Sequence, residues 1–264
     1  MPFGQEYSDH PLYSGEQVEK KPRVISWFSC GAASAVATKL INPDVIAYCD
    51  TGSEDADNKR FMDACQGWFE KSITILKSDK FLDTWDVWEK RKYLAGVSGA
   101  PCTSELKVLP RLAFQRPDDV HVFGYTADKR DAKRAQNLRE NYPDLSIVTP
   151  LIDRGITKAH CLSLIESANI DSPRVYSMGF PNANCIPCPK ATSPDYWSMV
   201  RHHFPMEFYR MAYLSRKYGA RLSRIDGERI FIDQIPTDWP MVNPIAPECD
   251  MLCFLAEREM ACAI

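Results

Sequence analysis

The sequence has no long hydrophobic run. No stretch approaches the about 18 apolar residues that a membrane-spanning helix needs, so no such span is expected. The N-terminal stretch MPFGQEYSDHPLYSGEQVEKKPR is polar and holds no apolar core of the kind a secretory leader carries. Residues 1–21 read as a flexible arm, and the chain is expected in the cytoplasm. Charge of one sign is also scarce. A net charge of −3 gives no global attraction to nucleic acid or membrane and leaves only a local basic patch to consider. Internal repeats and low-complexity segments are missing. So are two nucleotide-loop signatures, G-x-x-x-x-G-K-S/T and G-x-G-x-x-G.

What is there is ordinary in bulk. The 264 residues suffice for one large α/β domain with a small appendage. Hydrophobic residues at 45% and charged residues at 25% are typical of a globular chain. Cysteine is the exception, with ten. A secreted disulfide protein would be shorter and would carry an export signal. Clustered cysteines in a reducing compartment point to metal or redox chemistry. Cys49, Cys65 and Cys161 lie in apolar surroundings and read as small core residues.

Short β-branched runs alternate with helical stretches. Strands are expected at 23–28, 45–49, 72–76, 120–123 and 145–148, and helices from Ser34, over 57–70 and over 128–140. This alternation predicts an α/β fold, a mostly parallel twisted sheet with helices on both faces. Ligands in such sheets bind beyond the C-terminal strand ends, which directs attention to residues 29–34, 50–55 and 124–130. The tail differs. RLSRI-DG-ERIFIDQI, residues 221–235, is two alternating runs around Asp226-Gly227, a dipeptide suited to a tight hairpin turn. The expected division is an arm (1–21), a main α/β domain (22–215) and a C-terminal hairpin extension (216–264).

After the first apolar run come only small residues: Ser29, Cys30, Gly31, Ala32, Ala33 and Ser34. A helix N-terminus offers unpaired N–H groups and partial positive charge, and small side chains let an anion reach the backbone. The same residues also suit a tight strand-to-helix connection with no ligand. S-C-G-A-A-S resembles the S-G-G-x-D-S pyrophosphate loop of the adenine nucleotide alpha hydrolase (PP-loop) superfamily. That superfamily includes ATP pyrophosphatases, RNA thiolation enzymes and phosphoadenosine phosphosulfate (PAPS) reductases. Cys30 stands where the first glycine of the pair would be, and Ala33 replaces the aspartate. Further segments are similar to the PAPS reductases in order and spacing over about residues 22–200. They are Asp50-Thr51-Gly52, the G-Y-T-A-D-K-R run from Gly124, "PLID" at Pro150 and "VYSMGF" at Val175.

The resemblance implies the PP-loop fold and contact of an adenine nucleotide with the loop residues 29–34, with Asp50, Thr51 and Gly52, and with Gly124, Tyr125 and Arg134. Without it, Asp50-Thr51-Gly52 is also an ordinary turn, and Lys129, Arg130, Lys133 and Arg134 also suit a solvated helix face.

The strongest chemical signal is "NCIPCPK", with Cys185 and Cys188. A C-x-x-C pair is half a metal site. Cys249 and Cys253 would complete a four-thiolate zinc site; Cys102 would instead make three ligands of a [4Fe–4S] cluster. Spacing leaves both open. "PCTSELKVLP" resembles the C-C-x-x-R-K-V-x-P segment of iron–sulfur sulfonucleotide reductases. Cys102 matches the first cysteine, Thr103 replaces the second, and Lys107 matches the lysine beside the cluster. Related RNA thiolation enzymes hold clusters with three cysteines and an open iron, so the resemblance favours a cluster over zinc. "PECDMLC" resembles the E-C-G-x-H motif that carries the reductase nucleophile, which would be Cys249. The motif's histidine is missing, and Glu248 and Asp250 would raise the thiol's pKa.

Stabilising charge that develops at phosphorus needs cations or N–H donors, and Lys107, Lys129, Arg130 and Lys190 are candidates. Mg²⁺ with ATP would draw on Asp50, or on Asp55 and Asp57. The aromatic and basic residues between Tyr196 and Tyr218 suit single-stranded nucleic acid, though helical spacing makes a core stripe with a basic outer face the safer reading. His202-His203 reads as a surface feature. The sequence leads to an enzyme that uses ATP and an iron–sulfur cluster to deliver sulfur to a nucleic acid or small molecule. A sulfonucleotide reductase, acting on PAPS with a thiol reductant protein, and a non-catalytic nucleotide-binding module with structural zinc are the alternatives. Lys107, Arg130 and Cys249 are the expected catalytic residues.

Overall fold

The computed structural model describes residues 21–96 and 99–245, together with Cys249 and Glu257. Most of the expected N-terminal arm and Cys253 lie outside the described residues. Five short strands carry the fold: β1 (Val24–Trp27), β2 (Val45–Cys49), β3 (Ile73–Leu76), β4 (Val120–Val122) and β5 (Ser146–Val148). They form one sheet in the order β3-β2-β1-β4-β5, and every neighbouring pair is parallel. The helices between them are α1 (Ala32–Ile41), α2 (Asn58–Phe69), α3 (Thr84–Arg91), α4 (Pro101–Thr103), α5 (Leu109–Phe114), α6 (Lys129–Asn141), α7 (Pro150–Asp153), α8 (Lys158–Ser167) and α9 (Arg174–Ser177). A π-helical turn, Ser104–Val108, joins α4 to α5.

Both faces of the sheet are covered, because strand side chains alternate sides. Phe28, Ile46 and Tyr48 pack with Ala35 and Val36 of α1, Phe61 and Cys65 of α2, and Cys161 and Ile165 of α8. Ile25, Trp27, Ala47 and Cys49 pack with Ala135 and Leu138 of α6. Cys49, Cys65 and Cys161 are thus core residues, as their surroundings suggest. One polar residue on β1 is accommodated by pairing: Ser26 Oγ lies 2.6 Å from Thr38 Oγ1 on α1.

The chain continues through α10 (Pro194–His203) and α11 (Pro205–Lys217) to a two-stranded antiparallel hairpin, β6 (Ser223–Ile225) and β7 (Glu228–Ile230). Asp226 and Gly227 both have positive φ, 49° and 86°, as the turn requires. The strands are shorter than the alternating pattern suggests. After β7 the Gln234 side chain accepts from the Phe231 N–H at 2.9 Å and turns the chain into a single 3-10 turn, Ile232–Gln234. The expected boundary at 215/216 falls inside α11. Hairpin residue Leu222, with Ile232 and Ile235, shares a core with Trp85 and Trp88 of α3, Trp197 of α10, and Phe208 and Met211 of α11. No helix among the described residues is long and apolar enough to cross a membrane.

The aromatic stretch from Tyr196 to Tyr218 divides. Proline at 205 separates two helices. Tyr196, Trp197 and Phe208 are buried, while Tyr209 and Tyr213 are each 64% exposed.

Candidate functional site

β1 lies at the centre of the sheet. From it the chain winds outward through β2 and β3 on one side and through β4 and β5 on the other. A crevice forms where the loops after two adjacent strands diverge in this way. Here it opens between the loops after β1 and β4 and encloses about 1080 Å³, counted out to its open mouth. Ser29, Gly31, Ala33 and Ser34 line it from the first loop, and Gly124 and Tyr125 from the second. Lys107, Glu54, Asp131, Arg134, Lys158, Tyr176, Asn182, Asn184 and Cys249 close its sides.

The small residues have separate reasons. Gly124 lies against the start of α1, and a β-carbon there would stand 2.6 Å from both N and Cα of Ser34. Ser34 Oγ organises the loop. It donates to Gly31 O at 2.9 Å and accepts from the Ser29 N–H and hydroxyl, each at 3.1 Å. Cys30 takes φ +53°, a conformation that favours glycine. This turns its side chain away from the cleft into the core, with Sγ 3.9 Å from Asn58 O. Burial pushes the Cys30 thiol pKa far up, so it stays a neutral core group. Cys30 and Ala32 therefore contribute backbone to this loop and do not line the cleft with side chains.

The N-terminus of α1 carries no acidic residue in its first turn and no side-chain cap from Gly31. Its Ala32 N–H donates to Tyr176 Oη at 3.2 Å. Lys158 Nζ donates to the same phenol oxygen at 3.3 Å and stands 4.5 Å from the ring centroid. Lys158 is placed there as the first residue of α8, after Thr157, whose side chain accepts from the His160 N–H in a capping box.

Arg134 lines the cleft from α6, bonded to Asp131 at 2.8 Å, with its guanidinium 5.1 Å from the Tyr125 ring centroid. Arg130, one turn earlier, is exposed and lies outside the lining, as do Lys129 and Lys133. Lys107 enters from the π-helical turn, which shifts the helix register at this point. Burial works against the Lys107 charge, but Cys249, Cys185, Glu54 and Cys49 around it outweigh burial and raise its pKa.

Asp50, Thr51 and Gly52 lie outside the cleft lining. Asp50 accepts from the Gly52 N–H at 2.9 Å and pairs with Lys77 at 2.9 Å, as in an ordinary turn. Thr51 Oγ1 instead lies 3.0 Å from Cys185 Sγ. Asp55 is held by both nitrogens of an Arg174 fork at 2.7 and 2.8 Å, and Asp57 by Arg60. Among the carboxylates proposed for Mg²⁺, none lines the cleft; Glu54 and Asp131 do.

Three further cysteines, Cys102, Cys185 and Cys188, each feel the charge of Cys249, which lines the cleft. Cys102 is on α4, and Cys185 and Cys188 flank a cis Ile186–Pro187 bond. The loop is tied down by Ile186 N–H to Ser53 O at 3.1 Å and Cys188 N–H to Tyr196 Oη at 2.8 Å. Cys249 Sγ is 3.6 Å from Thr103 Oγ1. Burial, and after it the neighbouring Cys249, push the Cys102 thiol up to about 12 and the Cys188 thiol up to about 11. The same causes, burial first, act on Cys185, with Glu54 ahead of Cys249. Cys102, Cys185 and Cys188 are therefore each within electrostatic reach of Cys249, with Lys107 and Lys190 as nearby positive charges. Among the described residues no three His, Cys, Asp or Glu side chains are close enough together to hold a single metal ion. The indole N–H of fully buried Trp88 has no conventional acceptor and favours the charged form of Cys102.

The structure thus brings Ser29, Gly31, Ala33, Ser34, Gly124, Tyr125, Arg134, Lys107 and Cys249 to one cleft, and Cys102, Cys185 and Cys188 beside it. It adds Lys158, Tyr176, Glu54 and Asp131, which the sequence reading did not single out. The only available signal for Lys158 was its position after a helix-capping threonine. The sequence matches no protein-family model, and no curated protein is significantly similar to it.

Proposed function

We propose that this chain is an adenine-nucleotide-binding enzyme of sulfur chemistry, similar to the PAPS reductase-like PP-loop proteins, that uses ATP to activate an acceptor for sulfur transfer. One observation carries the reading: a cleft at the sheet's switch point is lined by both a small-residue helix start and Cys249, one of four grouped thiols. The nucleotide's phosphates would take the α1 N-terminus, with Ser29, Lys158 and Arg134 around them. Lys107 would face charge developing at the α-phosphorus. Glu54 and Asp131 are the carboxylates lining the cleft that could accompany Mg²⁺.

The donor set suits an iron–sulfur cluster, because grouped thiols favour soft metal centres and the buried Trp88 N–H is placed to support a charged sulfur. Cys102, Cys185 and Cys188 would hold it, and Cys249 lines the cleft proposed for the nucleotide. Such a cluster supplies an iron able to carry sulfur to an acceptor.

A sulfonucleotide reductase is the second reading, favoured by the placement of Cys249 in the cleft near Lys107. The test is anaerobic purification with iron, sulfide and zinc analysis, followed by product assays. Iron and sulfide with pyrophosphate release from ATP are expected. Sulfite from PAPS instead would select the reductase, and a colourless protein with stoichiometric zinc would overturn both cluster-dependent readings.

A further inference from the structure

On the C-terminal hairpin, Arg224 of β6 is paired directly with Arg229 of β7. The Arg224 N–H points away from β7 and donates to Thr192 O at 3.0 Å, so this is a pair without mutual backbone bonds, the kind in which facing side chains are closest. Like charges in that position repel. The opposite face of the hairpin packs inward through buried Ser223, leaving both guanidinium groups exposed. Arg221, at the hairpin's base, is exposed as well. None of the three stands in an ion pair among the described residues, although Arg210 and Arg216 nearby in sequence are paired with Glu89 and Asp233.

An aromatic surface lies on α11, whose end reaches the hairpin's base. Tyr209 and Tyr213 follow one face of α11, and Lys217 continues it one turn on, 5.8 Å from the Tyr213 ring centroid. The end of α11 meets the hairpin's base at Phe231, where Arg216 and Arg221 lie 4.1 and 5.6 Å from the ring centroid. The surface is also tied to the cysteine group. Thr192, which holds β6, is four residues from Cys188, at most about 14 Å of extended chain.

We propose that the exposed face of this hairpin, with Arg224 and Arg229 at its centre and Tyr209 and Tyr213 exposed on α11, binds the phosphodiester backbone of a nucleic acid. A phosphate between the two guanidiniums converts their repulsion into two charge-assisted contacts, and the tyrosines offer stacking surfaces to unpaired bases. The proposal deepens the sulfur-transfer reading by naming the acceptor class, and rests on that reading only for the acceptor's role.

Fluorescence anisotropy with labelled single-stranded RNA and DNA of equal length, at several salt concentrations, tests it on the full chain. Wild type should bind, with affinity falling as salt rises. Arg224→Gln/Arg229→Gln should bind at least about 10-fold more weakly and lose about 1.4 from the log–log salt slope, about 0.7 per contact on single strands. Arg224→Lys/Arg229→Lys should recover most of the binding. The RNA and DNA arms identify which polymer is preferred. Wild-type failure to bind either polymer at low salt, or unchanged binding by the Gln variant, would overturn the proposal. ATP binding, measured in parallel, should be equal in all variants; its absence in wild type would count against the cleft assignment and not against the surface.

Discussion

Gly124 and Ser34 are so close that a β-carbon on Gly124 would stand 2.6 Å from the Ser34 backbone. The contact joins the loop after β4 to the first turn of α1, and both residues line the cleft. Gly124→Ala must push the two apart. The expected cost is about 1–3 kcal/mol of stability, the range for overpacking, with loss of pyrophosphate binding. Thermal melting and calorimetric titration check both. A variant of wild-type stability and affinity would show that the approach is not needed.

Lys158 and the Ala32 N–H share Tyr176 Oη as acceptor, so the phenol occupies the place an anion would take at the helix start. Lys158→Gln would remove the proposed charge-assisted contact to phosphate, worth about 1.5–3 kcal/mol, so pyrophosphate affinity should fall by at least about 10-fold. Tyr176→Phe removes the competitor for the Ala32 N–H, so affinity should rise by about 2-fold or more. Equal affinities in all three proteins would show that anions do not bind there.

How far these features could be read from sequence follows from how local they are. Val45–Cys49 was legible to the residue because an apolar run ends at Asp50-Thr51-Gly52. The Asp226-Gly227 turn was legible because its positive φ values demand those residue types. The choice between Arg130 and Arg134 was not. They are one helical turn apart, and the packing of Arg134 on Tyr125 selects it for the cleft. Tyr176 reaches Ala32 across 144 residues, a contact no local pattern encodes. Thr51 was expected at the nucleotide, yet it touches Cys185, because the loop after β2 supports the cysteine loop instead.

His121 on β4 is buried against Trp27, whose indole N–H donates to Nδ1 at 3.0 Å. Burial lowers the imidazole pKa from 6.5 to about 4. The unfolded chain therefore takes up the proton first as pH falls. Stability from this group is complete above pH 6.5 and is lost between 6.5 and about 4, by at most about 1.4 kcal/mol per pH unit. His121→Asn keeps an acceptor for Trp27 but cannot titrate. Its melting temperature should fall less than that of wild type over this interval. Parallel profiles would remove His121 as the cause.

Arg111 on α5 is almost fully buried and is paired with Glu257, which also accepts from Tyr142 Oη at 2.8 Å. A second Arg111 nitrogen donates to Gln115 Oε1 at 2.8 Å. Burial still lowers the Arg111 pKa, which means the pair only partly offsets the desolvation of the guanidinium. Removing one partner leaves the other charge uncompensated, whereas removing both need not. Glu257→Ala should therefore destabilise the protein by about 3 kcal/mol. Arg111→Met with Glu257→Gln should recover most of that loss. Chemical denaturation of the single and double variants measures the difference. A Glu257→Ala protein as stable as wild type would mean that the pair does not stabilise the fold.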